Sequence, residues 1–248
     1  MSLAAQRVLV ILREIAKAAN GIGVRELARG MGQSPSNVQK ALQALLDQEF
    51  VCQDTESKRY LLGPTALQVG LAGLSRFDVR GIAREHLEAL AQETGETAYL
   101  GVRHGDEVMY VEKVIGPSEI RVDAPIGARR PFNCTAAGKV LLASLPEQEF
   151  RQLAAGGAFV QRTPNSITDP AALAREMVKI REAGVAIDRE EFALGVMCVA
   201  APARNHEGAT VAAIVLSGPA QRLGPSDTLI EQVKTCAGRV SATLGYRG

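Results

Sequence analysis

Asp188, Cys198 and Ser217 are the residues of this 248-residue chain whose types and spacing could do chemistry. The first two belong to the stretch DREEFALGVMCVAAP (residues 188–202), where two acids, a glycine, a cysteine and a proline punctuate an otherwise strand-like run. Residues 196–201 have the length and β-branched content of a buried strand, entered through Leu194-Gly195, where glycine lets backbone approach closely. Asp188, ten residues earlier, then faces Cys198 across a loop. A carboxylate and a small polarisable thiol facing each other from two strand ends resemble a small-molecule site more than a core. The alternative is a hairpin with solvated acids and an inert buried cysteine, the commoner fate of free cysteines.

A second feature lies at Thr135, which begins a helix whose first turn is Ala136-Ala137-Gly138. Three small residues leave the first backbone N–H groups unobstructed, and the helix dipole adds partial positive charge, so a carboxylate or phosphate can sit there. Small residues also let a helix pack tightly on a sheet, and that reading stays open. Asp188, Cys198 and Ser217 lie at strand ends that could converge on this helix start. With Val196 among apolar neighbours, the set suits a small organic acid. No Gly-rich phosphate loop follows a strand, so no redox or phosphoryl cofactor is implied.

Covalent chemistry would need Cys198 as nucleophile, helped by Asp188 and a histidine. The three histidines, His86, His104 and His206, fall on a helix and two hairpin turns, and no motif ties them to Cys198. A metal sensor would have to use Cys134, Cys198 and Asp188, a scattered and thiol-poor set, so no metal is expected. Cys52, Cys134, Cys198 and Cys236 form no C-x-x-C pair, which argues for reduced thiols in a cytoplasm.

The elements that position these residues form an α+β chain. Apolar residues make up 46% and charged residues 22%, with a formal net charge of +1, so binding to nucleic acid must come from a local patch. The N-terminal apolar stretch is interrupted by Arg7, Arg13, Glu14 and Lys17 at helical spacing, which makes it an amphipathic helix and not a signal peptide or membrane span.

Val8, Leu12, Ile15 and Ala19 stripe a first helix that ends at Asn20-Gly21. Val24, Leu27, Ala28 and Met31 mark a short second helix stopped by Gly32. Ser34 then caps a third, with Pro35 at its first position and Val38, Leu42, Leu45 and Leu46 inside. Two short helices joined by a glycine turn form a helix-turn-helix. The outer face of the third helix carries Ser34, Ser36, Asn37, Gln39, Lys40 and Gln43, an amide-rich set able to read base edges and phosphate in double-stranded DNA. Residues 50–53 and 59–62 alternate as a hairpin, a wing whose Lys58 and Arg59 could grip the backbone. Residues 65–76 form an apolar helix that would bury its stripe against another subunit or the domain base.

From residue 77 the pattern turns to strands joined mainly by hairpins, with helices at the beginning, middle and end. Strands are expected at 97–102, 107–114, 119–123, 185–188, 196–201 and 210–217, and helices at 80–93, 135–145, 147–153, 170–183 and 226–244. That arrangement indicates a mostly antiparallel sheet.

In this order the winged segment ending RYLLGP, then PFNCTAAGKVLLA, RTPNSITD, GVAIDREEFALGVMCVAAP and VAAIVLSGP resemble the IclR family of bacterial transcriptional regulators over nearly the whole chain. The resemblance implies a DNA-binding domain over residues 1–63, a linker and dimerisation helix over 64–76, and an effector-binding domain with a GAF-like fold over 77–248. It further implies a homodimer or dimer of dimers. A small effector would lie against the backbone amides of Ala136 and Ala137, with polar contacts at Asp188, Cys198 and Ser217 and with Val196 in the lining. The chain departs from its relatives at Asn133 and Cys134, at Val215 where some use a serine, and at Asn37 and Lys40 in the recognition helix. Arg130 takes a position often aliphatic; it points to solvent or adds a positive group for an anion. The expected function is a transcription factor whose operator affinity a small organic acid controls, with a Cys198-dependent enzyme as the alternative.

Overall fold

The computed structural model describes residues 3–74, 78–224 and 226–247. Its contacts divide the chain into two compact units, Met1–Arg76 and Phe77–Gly248. The expected end of the linker helix at Arg76 and the start of the second domain at Phe77 lie outside the described residues.

The first unit contains helices α1 (Leu3–Lys17), α2 (Val24–Gly30) and α3 (Pro35–Asp47), strands β1 (Val51–Gln53) and β2 (Tyr60–Leu62), and helix α4 (Pro64–Leu74). Ser34 Oγ accepts from the Asn37 N–H at 3.3 Å, so α3 starts where the Ser-Pro pair predicts. Ile11, Ile15, Leu27, Val38, Leu42, Leu45, Val51 and Tyr60 form its core. β1 and β2 pair antiparallel from Val51 with Leu62 to Gln53 with Tyr60. On α4, Leu67, Val69 and Leu71 are 64%, 57% and 54% exposed, a high cost for side chains of this type.

In the second unit, α5 (Asp78–Thr94) leads into β3 (Thr97–His104), β4 (Glu107–Val114) and β5 (Arg129–Pro131). Helices α6 (Ala136–Ala143), α7 (Glu147–Ala155) and α8 (Pro170–Ala183) follow, then strands β6 (Ala186–Arg189), β7 (Val196–Arg204) and β8 (Thr210–Pro219), and helices α9 (Ala220–Leu223) and α10 (Asp227–Thr243). The six strands form one sheet in the order β5-β4-β3-β8-β7-β6, every neighbouring pair antiparallel. Tyr99, Val108, Phe132, Ala200, Ala213 and Val215 pack with α6 and α8 in its main core.

The strand expected at residues 119–123 does not form; that segment is irregular, and the third strand of the meander is β5. Pro117 and Pro125 flank the segment and interrupt a ladder of donors. Its backbone finds another partner in Tyr99, whose hydroxyl donates to Val122 O at 3.0 Å and accepts from Ala124 N at 2.8 Å.

Candidate functional site

Strand register assembles the candidate residues. Asp188 pairs with Cys198, Cys198 with Ser217, and Ser217 with Thr97, so one polar row crosses β6, β7, β8 and β3. Directly opposed residues of antiparallel strands share a face, and this row lies on the face of Tyr99, Ala200 and Val215. Cys198 Sγ donates to Ser217 Oγ at 3.2 Å. Asp188 Oδ1 accepts from the N–H groups of Glu191 at 2.7 Å and Phe192 at 3.4 Å, which fixes the carboxylate at the start of the loop into β7. The row ends at Thr97, fully buried, whose Oγ1 has no hydrogen-bond partner among the described residues. Thr97→Val keeps the shape and removes that orphan. We expect it to leave the unit as stable or to gain up to about 1 kcal/mol, read as a raised thermal midpoint; a clear loss would show that the hydroxyl has a partner in solution.

A cavity of about 90 Å³ opens on this row, lined by Asp188, Cys198, Ser217, Val196, Thr135 and Arg130. Tyr99, Tyr110 and Phe192, which sequence reasoning did not single out, line it as well. Tyr99 and Tyr110 stack with ring centroids 4.7 Å apart. Desolvation is the largest influence on Asp188, Tyr99, Tyr110 and Cys198. Burial pushes the Asp188 carboxyl up to about 7 against the pull of its two N–H partners. It pushes Tyr99 up to about 12 and raises Tyr110 further. Burial also raises the Cys198 thiol, and Asp188 adds to the effect, so this sulfur is a protonated donor and not a thiolate.

The small-residue helix start meets the cavity through its cap. Thr135 Oγ1 donates to Pro131 O at 2.8 Å and accepts from Gly138 N at 3.0 Å. Gly138 is therefore a packing residue and its N–H is taken: a Cβ there would lie 2.3 Å from Phe132 O. Of the three small residues expected at a ligand, it is the one whose N–H already has a partner. The N–H groups of Ala136 and Ala137 keep no acceptor among the described residues, as the first donors of a helix must unless something outside it supplies one. Arg130 does not point away to solvent. It lines the cavity, with its guanidinium 4.9 Å from the Phe192 ring centroid.

The nucleophile arrangement is not assembled. No histidine lines the cavity: His86 is on α5, His104 pairs with Arg129 at 2.7 Å, and His206 sits in the turn between β7 and β8. Among the described residues no three of His, Cys, Asp or Glu are grouped to hold a metal ion. Cys134 is buried in the core, and its thiol is pushed up to about 12, first by burial.

In the first unit, Ser34, Ser36, Gln39, Lys40 and Gln43 are exposed along α3 and Asn37 is half-buried. Gln39 Nε2 donates to Tyr60 Oη at 3.3 Å, and Gln43 Nε2 to Asp47 Oδ1 at 2.7 Å. Lys40 and Lys58 present ammonium groups with no partner among the described residues. Arg59 differs. Its guanidinium donates to Gly21 O at 2.8 and 3.0 Å and to Glu26 Oε2 at 3.0 Å, so it braces the wing against the turn after α1. It is also the second wing residue expected to meet the DNA backbone, and its side chain stays partly exposed.

A winged helix-turn-helix unit followed by a sheet domain with a lined polar cavity is the plan of a ligand-responsive transcriptional regulator. Comparison with known proteins agrees. The IclR helix-turn-helix domain matches residues 4–55, and the bacterial transcriptional regulator IclR C-terminal domain matches residues 71–242. The chain belongs to the IclR family of transcriptional regulators. It is 33% identical over 243 residues to the HTH-type transcriptional regulator XynR of Escherichia coli K12, covering 97% of this chain and 96% of that protein. It is 30% identical over 247 residues to the HTH-type transcriptional repressor AllR of the same strain, covering 98% and 91%. The crystal structure of Thermotoga maritima IclR superposes with a TM-score of 0.80 at 35% identity, covering 98% of each chain. Among the described residues no helix is long and apolar enough to cross a membrane.

Proposed function

We propose that this regulator binds a small organic acid in the cavity on α6 and that occupancy changes its affinity for operator DNA. The observation that carries this reading is the convergence of opposite polarities in one desolvated space. Arg130 suits an acidic group, while Asp188 and Ser217 suit a hydroxyl or N–H on the same small molecule, and all three line the cavity. The N–H groups of Ala136 and Ala137 belong to the helix turn capped by Thr135, which lines it too. Cys198, protonated, adds a weak donor and polarisable surface.

Ser34, Ser36, Asn37, Gln39, Lys40 and Gln43 of α3 enter the major groove, and Lys58 of the wing meets the phosphate backbone. The exposed apolar stripe of α4 supports pairing of two chains, as a homodimer or a dimer of dimers, which places two readers at half-sites about 34 Å apart or a multiple of it. Effector binding then shifts the relative placement of the readers, with a coupling of about 1–3 kcal/mol.

Fluorescence anisotropy on DNA from upstream of the gene, with and without a panel of small carboxylates, tests the whole reading. Tight binding to one fragment that weakens with salt and shifts with one compound is the expected result; unchanged DNA affinity under every compound removes the sensing role. In the same assay Lys40→Ala is expected to lower the salt slope of operator binding by about 1. An unaltered slope would take Lys40 out of the interface.

A further inference from the structure

The five partly exposed residues lining the cavity are Val122, Arg130, Phe192, Ala193 and Val196, and the other seven are buried, so these five make its mouth. Phe192 belongs to a segment with left-handed residues near both ends, Glu190 at φ 60° and Gly195 at φ 78°. Glu190 Oε2 accepts from Gly195 N at 2.6 Å and ties those ends together. Thr163 Oγ1 donates to Glu190 O at 2.7 Å and Ser166 Oγ to Glu191 O at 2.6 Å, anchoring the first half of the segment. Phe192 follows the anchored half.

Two guanidiniums lie over the Phe192 ring, those of Arg130 and Arg162, each 4.9 Å from its centroid. Neither has a carboxylate partner among the described residues; Arg130 donates only to Arg129 O, at 2.9 Å. Both interactions with the ring are favourable. The two like charges are nonetheless within about 10 Å of each other, near the distance over which salt screens. Arg130 and Thr135, the residue that caps α6, both line the cavity. An acidic group that enters beside Thr135 is therefore also offered Arg130.

We propose that Phe192, Arg130 and Arg162 form a charge-selective gate over the cavity. An acidic group entering it takes the Arg130 guanidinium in charge-assisted hydrogen bonds and neutralises the repulsion between the two arginines. Phe192 then closes the mouth, held from outside by Arg162. Arg130 is the residue that selects an acid over its neutral isostere, and Arg162 is a positioning residue that acts through Phe192. This rests on the cavity being an effector site.

The test uses the full chain and its tyrosine fluorescence, since the protein has no tryptophan and two of its four tyrosines line the cavity. Lactate, succinate, benzoate and 4-hydroxybenzoate are titrated to about 10 mM, each beside its primary amide. For any acid that binds, Arg130→Gln is expected to weaken binding by about 10- to 100-fold and to leave the matched amide within about threefold, with Arg130→Lys in between. Arg162→Gln is expected to slow association of the acid by several-fold and to reduce its salt dependence, without changing the rate for the amide. A merely structural arginine would affect acid and amide alike. Equal losses for both, or acid binding untouched by Arg130→Gln, would overturn the gate and leave the cavity as a site. Failure of every acid to bind the unaltered protein would instead overturn the acid-site reading, and the gate with it.

Discussion

Replacing Lys139 with methionine is expected to destabilise the second unit by about 3–5 kcal/mol, the largest effect of any single change considered. Lys139 lies in the apolar run AAGKVLLA of α6 and is completely buried. Its Nζ donates to Glu191 Oε1 at 2.6 Å and to Ile187 O at 2.7 Å, with Glu176 Oε1 at 3.6 Å. Methionine fills nearly the same volume, so the loss comes from leaving Glu191 buried and uncompensated, with its Oε2 already unpartnered among the described residues. In a thermal melt followed by circular dichroism the midpoint should fall by about 10 °C or more. Adding Glu191→Met should recover most of it, because exchanging both members of a buried pair for apolar residues is often neutral. A single variant as stable as the parent would show that the pair is solvated. Glu191 is three residues beyond Asp188 and next to Phe192, so this pair also sets the loop that borders the cavity.

The second large effect concerns pH. Asp188 has its carboxyl raised from the usual 3.8 to about 7, chiefly by burial. Between those two values the folded chain holds a proton that the unfolded chain has released, so stability falls as pH rises from about 4 to about 7 and stays low above. The full span corresponds to about 4 kcal/mol. Asp188→Asn keeps an oxygen for the Glu191 and Phe192 N–H groups and removes the titration. It is expected to match the parent near pH 4 and to exceed it by up to about 4 kcal/mol above pH 7. Urea unfolding at several pH values measures this directly; parallel curves for parent and variant would mean that Asp188 titrates normally. A carboxylate kept at such a cost fits the proposed effector site, since binding sites are often held at the expense of stability.

Much of the fold is legible in the primary structure because it is local. The stripes through Leu12, Leu27 and Leu42, the Ser34-Pro35 cap and the polar wing tip place the helix-turn-helix, since helical period and cap chemistry act within a few residues. The hairpin loop between Asp188 and Cys198 is short, so their meeting across β6 and β7 was also readable.

What lay beyond was decided by register and by competition for partners. Thr97 and Ser217 are 120 residues apart, and only the pairing of β3 with β8 makes them neighbours. Tyr99 took over the backbone of residues 122–124 and cancelled a strand that local alternation favoured. Arg59, a wing cation by spacing, also braces Gly21 and Glu26. Arg162 came to lie over the ring of Phe192, 30 residues further along the chain. By itself the sequence determined which faces are apolar, where the helices begin and which residues are chemically able to bind. The tertiary structure alone decided which of them face one cavity and which are tied up elsewhere, because a hydrogen bond or a desolvated charge depends on every group within a few ångströms, whatever its place in the chain.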